Sequence, residues 1–159
     1  RIYTLFEAYQ KLRPSASYDN ADRVHALLSA IEEHGVPGTY LDFLYVDEAQ
    51  DNLIIDAALL KSLCPNPHGL FFAGDTAQTI SVGSAFRFNE LKAFLYRLER
   101  EDANVKRKSR RPVDPRFFQL ATNYRSHSGI VNAAALLVRL IDSYFQHSID
   151  SLTPEVSLV

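Results

Sequence analysis

The chain has 159 residues, no methionine, and Arg1 at its start, features that predict a piece of a longer protein. Hydrophobic residues make up 47% and charged residues 23%, which excludes a disordered tail and fits one folded domain or part of one. A net charge of −2 excludes a surface that attracts nucleic acid as a whole, and a single cysteine, Cys64, excludes a disulfide framework or a multi-cysteine metal cluster.

Ile2, Leu5, Phe6, Tyr9 and Leu12 fall at helical spacing, and Arg13-Pro14 breaks the run. A second helix starts at Asp19 or Asn20 as cap, carries Val24, Leu27, Leu28 and Ile31 as its apolar stripe, and ends at Gly35, Pro37 and Gly38. The short apolar run 41–46 then reads as a strand stopping at Asp47-Glu48. Residues 53–63 read as a helix ended by Pro65 and Pro67. A second strand, 69–73, stops at Gly74-Asp75, and a helix follows over 88–101. A third apolar run, 117–121, stops at Asn123-Tyr124-Arg125. A long helix, 128–145, has Ser126 or Ser128 as cap, and Pro154 lies in a tail expected to fray. Short apolar strands alternating with helices predict an α/β fold with a parallel sheet flanked by helices.

No apolar run approaches the ~18 residues of a membrane span, so no membrane partner is expected. Cysteine usage fits a reducing, intracellular compartment, nucleus or cytoplasm. The basic run Lys106-Arg107-Lys108-Ser109-Arg110-Arg111 stands apart as a linker or exposed loop. It can touch a nucleic-acid backbone, or it can be a solvated loop. His25, His34, His68, His127 and His147 show no metal spacing, and Cys64 reads as a packed thiol.

In an open parallel sheet, ligands bind beyond the carboxyl ends of the strands. All three predicted strands end in polar clusters there, which would converge on one cleft. The first, within LYVDEAQD, pairs Asp47 and Glu48 after an apolar strand. Such a pair can hold a Mg²⁺ ion through water and take a proton from an attacking water. A strand running into an acidic helix N-terminus gives the same pattern. In the second, Gln78 can hydrogen-bond a phosphate oxygen or the attacking water. In the third, Arg125 can stabilise charge on a phosphoryl group and Tyr124 can stack on a base.

DEAQD, GDTAQTI and NYRS stand in the order and approximate spacing of motifs II, III and IV, so the chain resembles superfamily 1 helicases of the UvrD/Rep/PcrA type. From Asp19 to Phe145 it also resembles the UvrD-like module of large eukaryotic tetratricopeptide- and ankyrin-repeat proteins, whose wording the FRF and NYRSHSGI stretches share. The resemblance implies an incomplete RecA-like P-loop NTPase fold. Residues 1–126 would be the second part of the first ATPase lobe, 127–159 the start of the following lobe, and 103–116 a basic linker. It implies ATP and Mg²⁺ as cofactors of the intact parent. Asp47 would be the Mg²⁺-linked carboxylate, Glu48 the catalytic base, Gln50 a member of the coupling set, and Gln78 the γ-phosphate sensor. Arg125 would be an arginine finger and Tyr124 would stack on adenine, while Asp75 would be a structural member of its motif. The partners implied are single-stranded nucleic acid, DNA ahead of RNA, and the remaining helicase lobes.

Two departures bear on this. No G-x-x-x-x-G-K-[ST] is present, since none of the six glycines precedes a lysine. The aromatic-Arg pair that follows the family's third motif is offset here to Phe86-Arg87, with Phe88 behind it. Phe86 or Phe88 can stack on a base or pack in the core. Phe86, Arg87, Phe88, Lys106, Arg107 and Lys108 are therefore the candidate nucleic-acid contacts. The expected function is that of part of an ATP-dependent helicase, inactive by itself. The alternative is a degenerate RecA-like scaffold that binds partners without hydrolysis.

Overall fold

Two strand–helix–strand units make up the strands of the fold, in a computed structural model that describes residues 1–14, 17–78, 86–105, 113–146, 148–150 and 152–159. Two helices precede them. α1 (Ile2–Leu12) forms at the predicted spacing but buries none of its residues. α2 (Asn20–His34) is capped by Asp19, whose side chain accepts the Asp22 N–H at 2.8 Å, while the Asp22 carboxylate accepts the Asp19 N–H at 3.0 Å. This reciprocal pair satisfies two of the N–H groups that a helix start leaves open. Arg13 pairs with Asp22 and tethers the end of α1 to the start of α2. The Asp19 backbone N–H, then Arg13, hold the Asp22 carboxyl below its ordinary range.

In the first unit, β1 (Leu44–Val46) and β2 (Leu70–Phe72) pair in parallel, with Leu44 opposite Leu70 and Val46 opposite Phe72. Parallel neighbours need a crossover, and α3 (Ile54–Leu63) supplies it. At the helix start the Asp56 carboxylate accepts the Leu53 N–H at 2.8 Å. α4 (Phe88–Val105) packs beside α3. Ala49, Ala57, Phe86, Leu91 and Leu95 form a buried cluster, with Val46, Leu70, Phe72, Phe88 and Phe94 packed against it. Lys61 of α3 reaches both Glu99 and Asp102 of α4, each at 2.9 Å. Burial pushes the Lys61 ammonium down, but the two carboxylates outweigh it and hold it above its ordinary value. Cys64, at the end of α3, is buried as expected for a packed thiol.

The second unit departs from the sequence reading. Residues 117–121 form no strand, although the Ala121 carbonyl accepts the Val156 N–H at 2.8 Å, and the strand is β3 (Thr122–Asn123) instead. It pairs in parallel with β4 (Val156–Ser157), across the crossover helix α5 (Ser128–Tyr144). The tail expected to fray therefore supplies a strand. Its partners explain why: Gln119 exchanges two hydrogen bonds with the Thr153 backbone, each 2.9 Å, and Asn123 donates to Glu155 at 2.8 Å. The cap of α5 is His127, whose ring accepts the Gly129 N–H at 3.1 Å, in place of the expected serines. α4 extends to Val105, so residues 103–105, assigned to a linker, form its last turn. The basic run at 106–111 lies outside the described residues.

The two units meet at Asp150, which is 5% exposed and accepts the Phe88 N–H at 2.7 Å and the Asn89 side chain at 3.1 Å. The acceptor at the start of α4 is thus supplied from beyond α5. The architecture is a mixed helix–strand fold with two short parallel ladders. β3 and β1–β2 belong to separate ladders among the described residues, so the expected single sheet with three strand ends is not what forms.

Candidate functional site

The polar ends of β1 and β2 come together because the strands are parallel and in register: both strands leave the ladder on the same side. Ala73 donates to the Val46 carbonyl and Ala49 to the Ala73 carbonyl, each at 2.8 Å, which draws Asp47–Gln50 against Ala73–Asp75. After β1 the chain turns sharply. Glu48 takes a left-handed backbone, φ 49° and ψ 45°, and a short 3₁₀ turn over Ala49–Asp51 follows. A left-handed glutamate is unfavourable without support, and such residues persist only where the surroundings hold them.

Gln50 provides that support. It is 2% exposed, and its side chain is bound at both ends. Its Nε2 donates to Glu48 Oε2 at 2.7 Å, and its Oε1 accepts the Asp75 N–H at 3.0 Å. The amide thus bridges the carboxylate after β1 and the backbone after β2. Gly74 makes room for it, since a Cβ there would stand 2.2 Å from Gln50 Oε1. Asp75 continues the line. Its Oδ1 accepts the Ala77 N–H at 2.9 Å and its Oδ2 accepts Gln78 Nε2 at 2.7 Å. Glu48, Gln50, Asp75 and Gln78 therefore form one hydrogen-bonded chain across two loops.

Asp47 accepts the Glu48 N–H at 3.0 Å through Oδ1. Among the described residues its Oδ2, like Oε1 of Glu48, has no protein partner, so exposed carboxylate oxygens remain at the strand end. A hard divalent cation prefers oxygen ligands of this kind. No group of three or more His, Cys, Asp or Glu side chains forms a closed metal cage among the described residues.

The third cluster sits elsewhere. Asn123 Oδ1 accepts the Arg125 and Ser126 N–H groups at 2.8 and 2.7 Å, which shapes the turn after β3. Tyr124 and Arg125 are exposed at this turn. Among the described residues no hydrogen bond or ion pair joins Tyr124 or Arg125 to Asp47, Glu48, Gln50 or Gln78. The structure brings the first two clusters together and leaves the third on its own ladder.

Phe86, a candidate for base stacking, is 5% exposed within the core, edge-on to Phe88 with centroids 5.3 Å apart. Phe88 also contacts Phe117, at 5.9 Å. Core packing, the other sequence reading, is what these rings do here. Arg87 is engaged by Glu90, which raises its guanidinium further above its ordinary value, with Asp150 adding to the effect. Lys106, Arg107 and Lys108 lie outside the described residues. Sequence reasoning missed Asp150 and the bridging geometry of Gln50. No local signal marks an aspartate that caps a helix from a distant segment, but a glutamine two residues after a strand-end glutamate within reach of a glycine turn was visible.

Comparison with known proteins finds relatives that include the following two. The chain is 36% identical over 158 residues, 99% of its length, to TPR and ankyrin repeat-containing protein 1 of Homo sapiens, of which it covers 5%. It is 30% identical over 145 residues, 87% of its length, to an ATP-dependent helicase/nuclease subunit of Syntrophomonas wolfei subsp. wolfei, of which it covers 11%. No protein-family model matches the chain. It thus spans a small part of each relative. No described helix is long and apolar enough to cross a membrane.

Proposed function

We propose that this chain is part of the ATP-binding domain of a UvrD-like helicase, within a parent that couples ATP hydrolysis to movement along single-stranded nucleic acid, DNA ahead of RNA. The observation that carries the reading is the left-handed Glu48 held by buried Gln50, which ties the carboxylate after β1 to the loop after β2. An ordinary strand-to-helix turn has no need of a glutamate in that backbone state or of a glutamine bridge beneath it. The similarity to a protein named as a helicase/nuclease subunit supports the same class.

In this reading Asp47 would hold Mg²⁺, with ATP, through water at its free carboxylate oxygen. The ion supplies charge neutralisation at the phosphates. Glu48 accepts the proton of the attacking water through the oxygen not bound to Gln50. Gln78 would sense the γ-phosphate and the attacking water. Arg125, on the turn after β3, serves as arginine finger, and Tyr124 stacks on adenine. Closure between the two ladders would bring Arg125 to the other groups. The β1–β2 ladder belongs to the first RecA-like lobe, and the β3–β4 ladder, which spans the boundary expected at 126–127, opens the next.

The test is Glu48→Gln in the full-length protein, assayed for Mg²⁺-ATP turnover. Removal of a general base is expected to lower turnover by about a hundredfold or more, with the fold unchanged. Unchanged turnover would sink the reading. A second reading is a RecA-like scaffold that binds without hydrolysis. Full-length protein that binds ATP analogues but never hydrolyses ATP would favour it.

A further inference from the structure

The nucleotide reading leaves one group of the strand-end network without a task. The Asp75 carboxylate is only half-buried, yet both of its oxygens are committed: Oδ1 to the Ala77 N–H and Oδ2 to Gln78 Nε2. Its backbone N–H is committed too, to Gln50. Ala77 accounts for one oxygen as an ordinary turn contact of the kind aspartate makes with the backbone two residues on. The second oxygen serves the side chain of Gln78 alone.

An ionised carboxylate accepts hydrogen bonds and donates none, so the atom of the Gln78 amide that faces it must be nitrogen. That fixes the amide about its last torsion, which is otherwise broad and nearly two-fold. Oε1 is then on the side away from Asp75 and open to solvent. We infer that Asp75 is a positioning residue. It orients the Gln78 amide so that the carbonyl oxygen is presented as an acceptor to an attacking water, with the second N–H beside it for a phosphate oxygen. This rests on the nucleotide reading given above. The Asp75 N–H on Gln50 adds a consequence: the orienting group is in register with the Glu48 carboxylate, because one buried glutamine holds both.

The substitution that tests this keeps the turn and reverses the amide. In Asp75→Asn, the asparagine Oδ1 still accepts the Ala77 N–H, while Nδ2 now donates toward residue 78. Gln78 must then turn its Oε1 inward and present only N–H groups. For Mg²⁺-ATP turnover by the full-length protein, kcat is expected to fall about tenfold, with KM within about twofold, since orientation rather than binding is lost. The compensating pair is Asp75→Asn with Gln78→Glu. The glutamate accepts from Asn Nδ2 with one oxygen and presents the other outward. In the pair, kcat should rise above that of Asp75→Asn without reaching wild type, and KM should rise, because the second N–H is lost and a carboxylate now faces phosphate. Gln78→Glu alone sets two carboxylates against each other and should show no such recovery.

A structural readout separates failure of this inference from failure of the nucleotide reading. In full-length protein labelled with ¹⁵N-glutamine, the Gln78 side-chain amide should show one slowly exchanging, downfield N–H, lost in Asp75→Asn. That signature in a protein with no ATPase activity would uphold the positioning and sink the nucleotide reading. An unprotected Gln78 amide in the wild type would overturn the inference. So would full activity in Asp75→Asn, or a double variant no better than the single one.

Discussion

Gly74→Ala isolates the contact on which the strand-end network turns. Gly74 does not occupy the left-handed region, so alanine can take its backbone without strain. What it meets first is the Gln50 side chain, with the new Cβ placed 2.2 Å from Oε1 and 3.4 Å from Cδ, and then the Ala49 backbone N at 3.0 Å. Gln50 cannot swing aside freely, because it is buried and bound at both ends. Moving it breaks a hydrogen bond to the Glu48 carboxylate and strips the Asp75 N–H of its acceptor. Such losses total about 2–4 kcal/mol. The added methyl stiffens the unfolded chain and returns about 0.4–1 kcal/mol. The net expectation is a destabilisation of about 1–3 kcal/mol by urea unfolding. The sharper test is the cycle with Gln50→Ala. Once Gln50 is truncated only the Ala49 backbone N, 3.0 Å from the new Cβ, still crowds the methyl, so Gly74→Ala should cost at least about 1 kcal/mol less than in wild type. Additive losses across the cycle would refute the assignment of Gly74 to Gln50.

The remaining expectations follow from single contacts. Asp150→Ala removes the acceptor of the Phe88 N–H and should cost about 1–2 kcal/mol in urea unfolding, with Asp150→Asn losing less. Asp22 has a lowered carboxyl, so its contribution is present above its unfolded pKa of about 3.9 and is lost as pH falls through the lower folded value. The stability gap between wild type and Asp22→Asn should hold from pH 7 to about 4 and close below that, as followed by helical circular dichroism. Cys64, at 1% exposure, should react with a thiol reagent only as the chain unfolds, and fast labelling of native protein would contradict its burial.

Some of this fold is legible without coordinates. The helices announce themselves by period and by Asp19, whose side chain can only help at a helix start. β1 and β2 are readable because each is a short apolar run cut off by an acidic or glycine turn. The pairing of the Asp47–Gln50 and Asp75–Gln78 clusters then follows from parallel strands. Other features escape because their causes are distant. Val156–Ser157 has no pattern of its own and becomes a strand only because Asn123, Gln119 and Ser126 accept or donate along it. Phe86 and Phe88 look alike on paper, and only packing separates the buried ring from its half-buried neighbour. Gln50 reads only as a member of the coupling set that the resemblance implies, and its burial emerges once its two partners are located. The assumption that three strands share one sheet failed at β3, where the nearest available partner was downstream.

The reliance of β3 on β4 has a bearing on the order of synthesis. The first ladder has both strands as soon as residues 70–72 leave the ribosome. The second cannot form until residues 156–157 are made, and Asp150 reaches the start of α4 only at the same late stage. The stretch that carries Asp150 and Val156–Ser157 therefore completes both units. A nascent chain halted before it would carry a formed Glu48–Gln50 turn beside an unsupported Asn123–Arg125 segment. Protein shortened there for expression would retain the first ladder and lose the second.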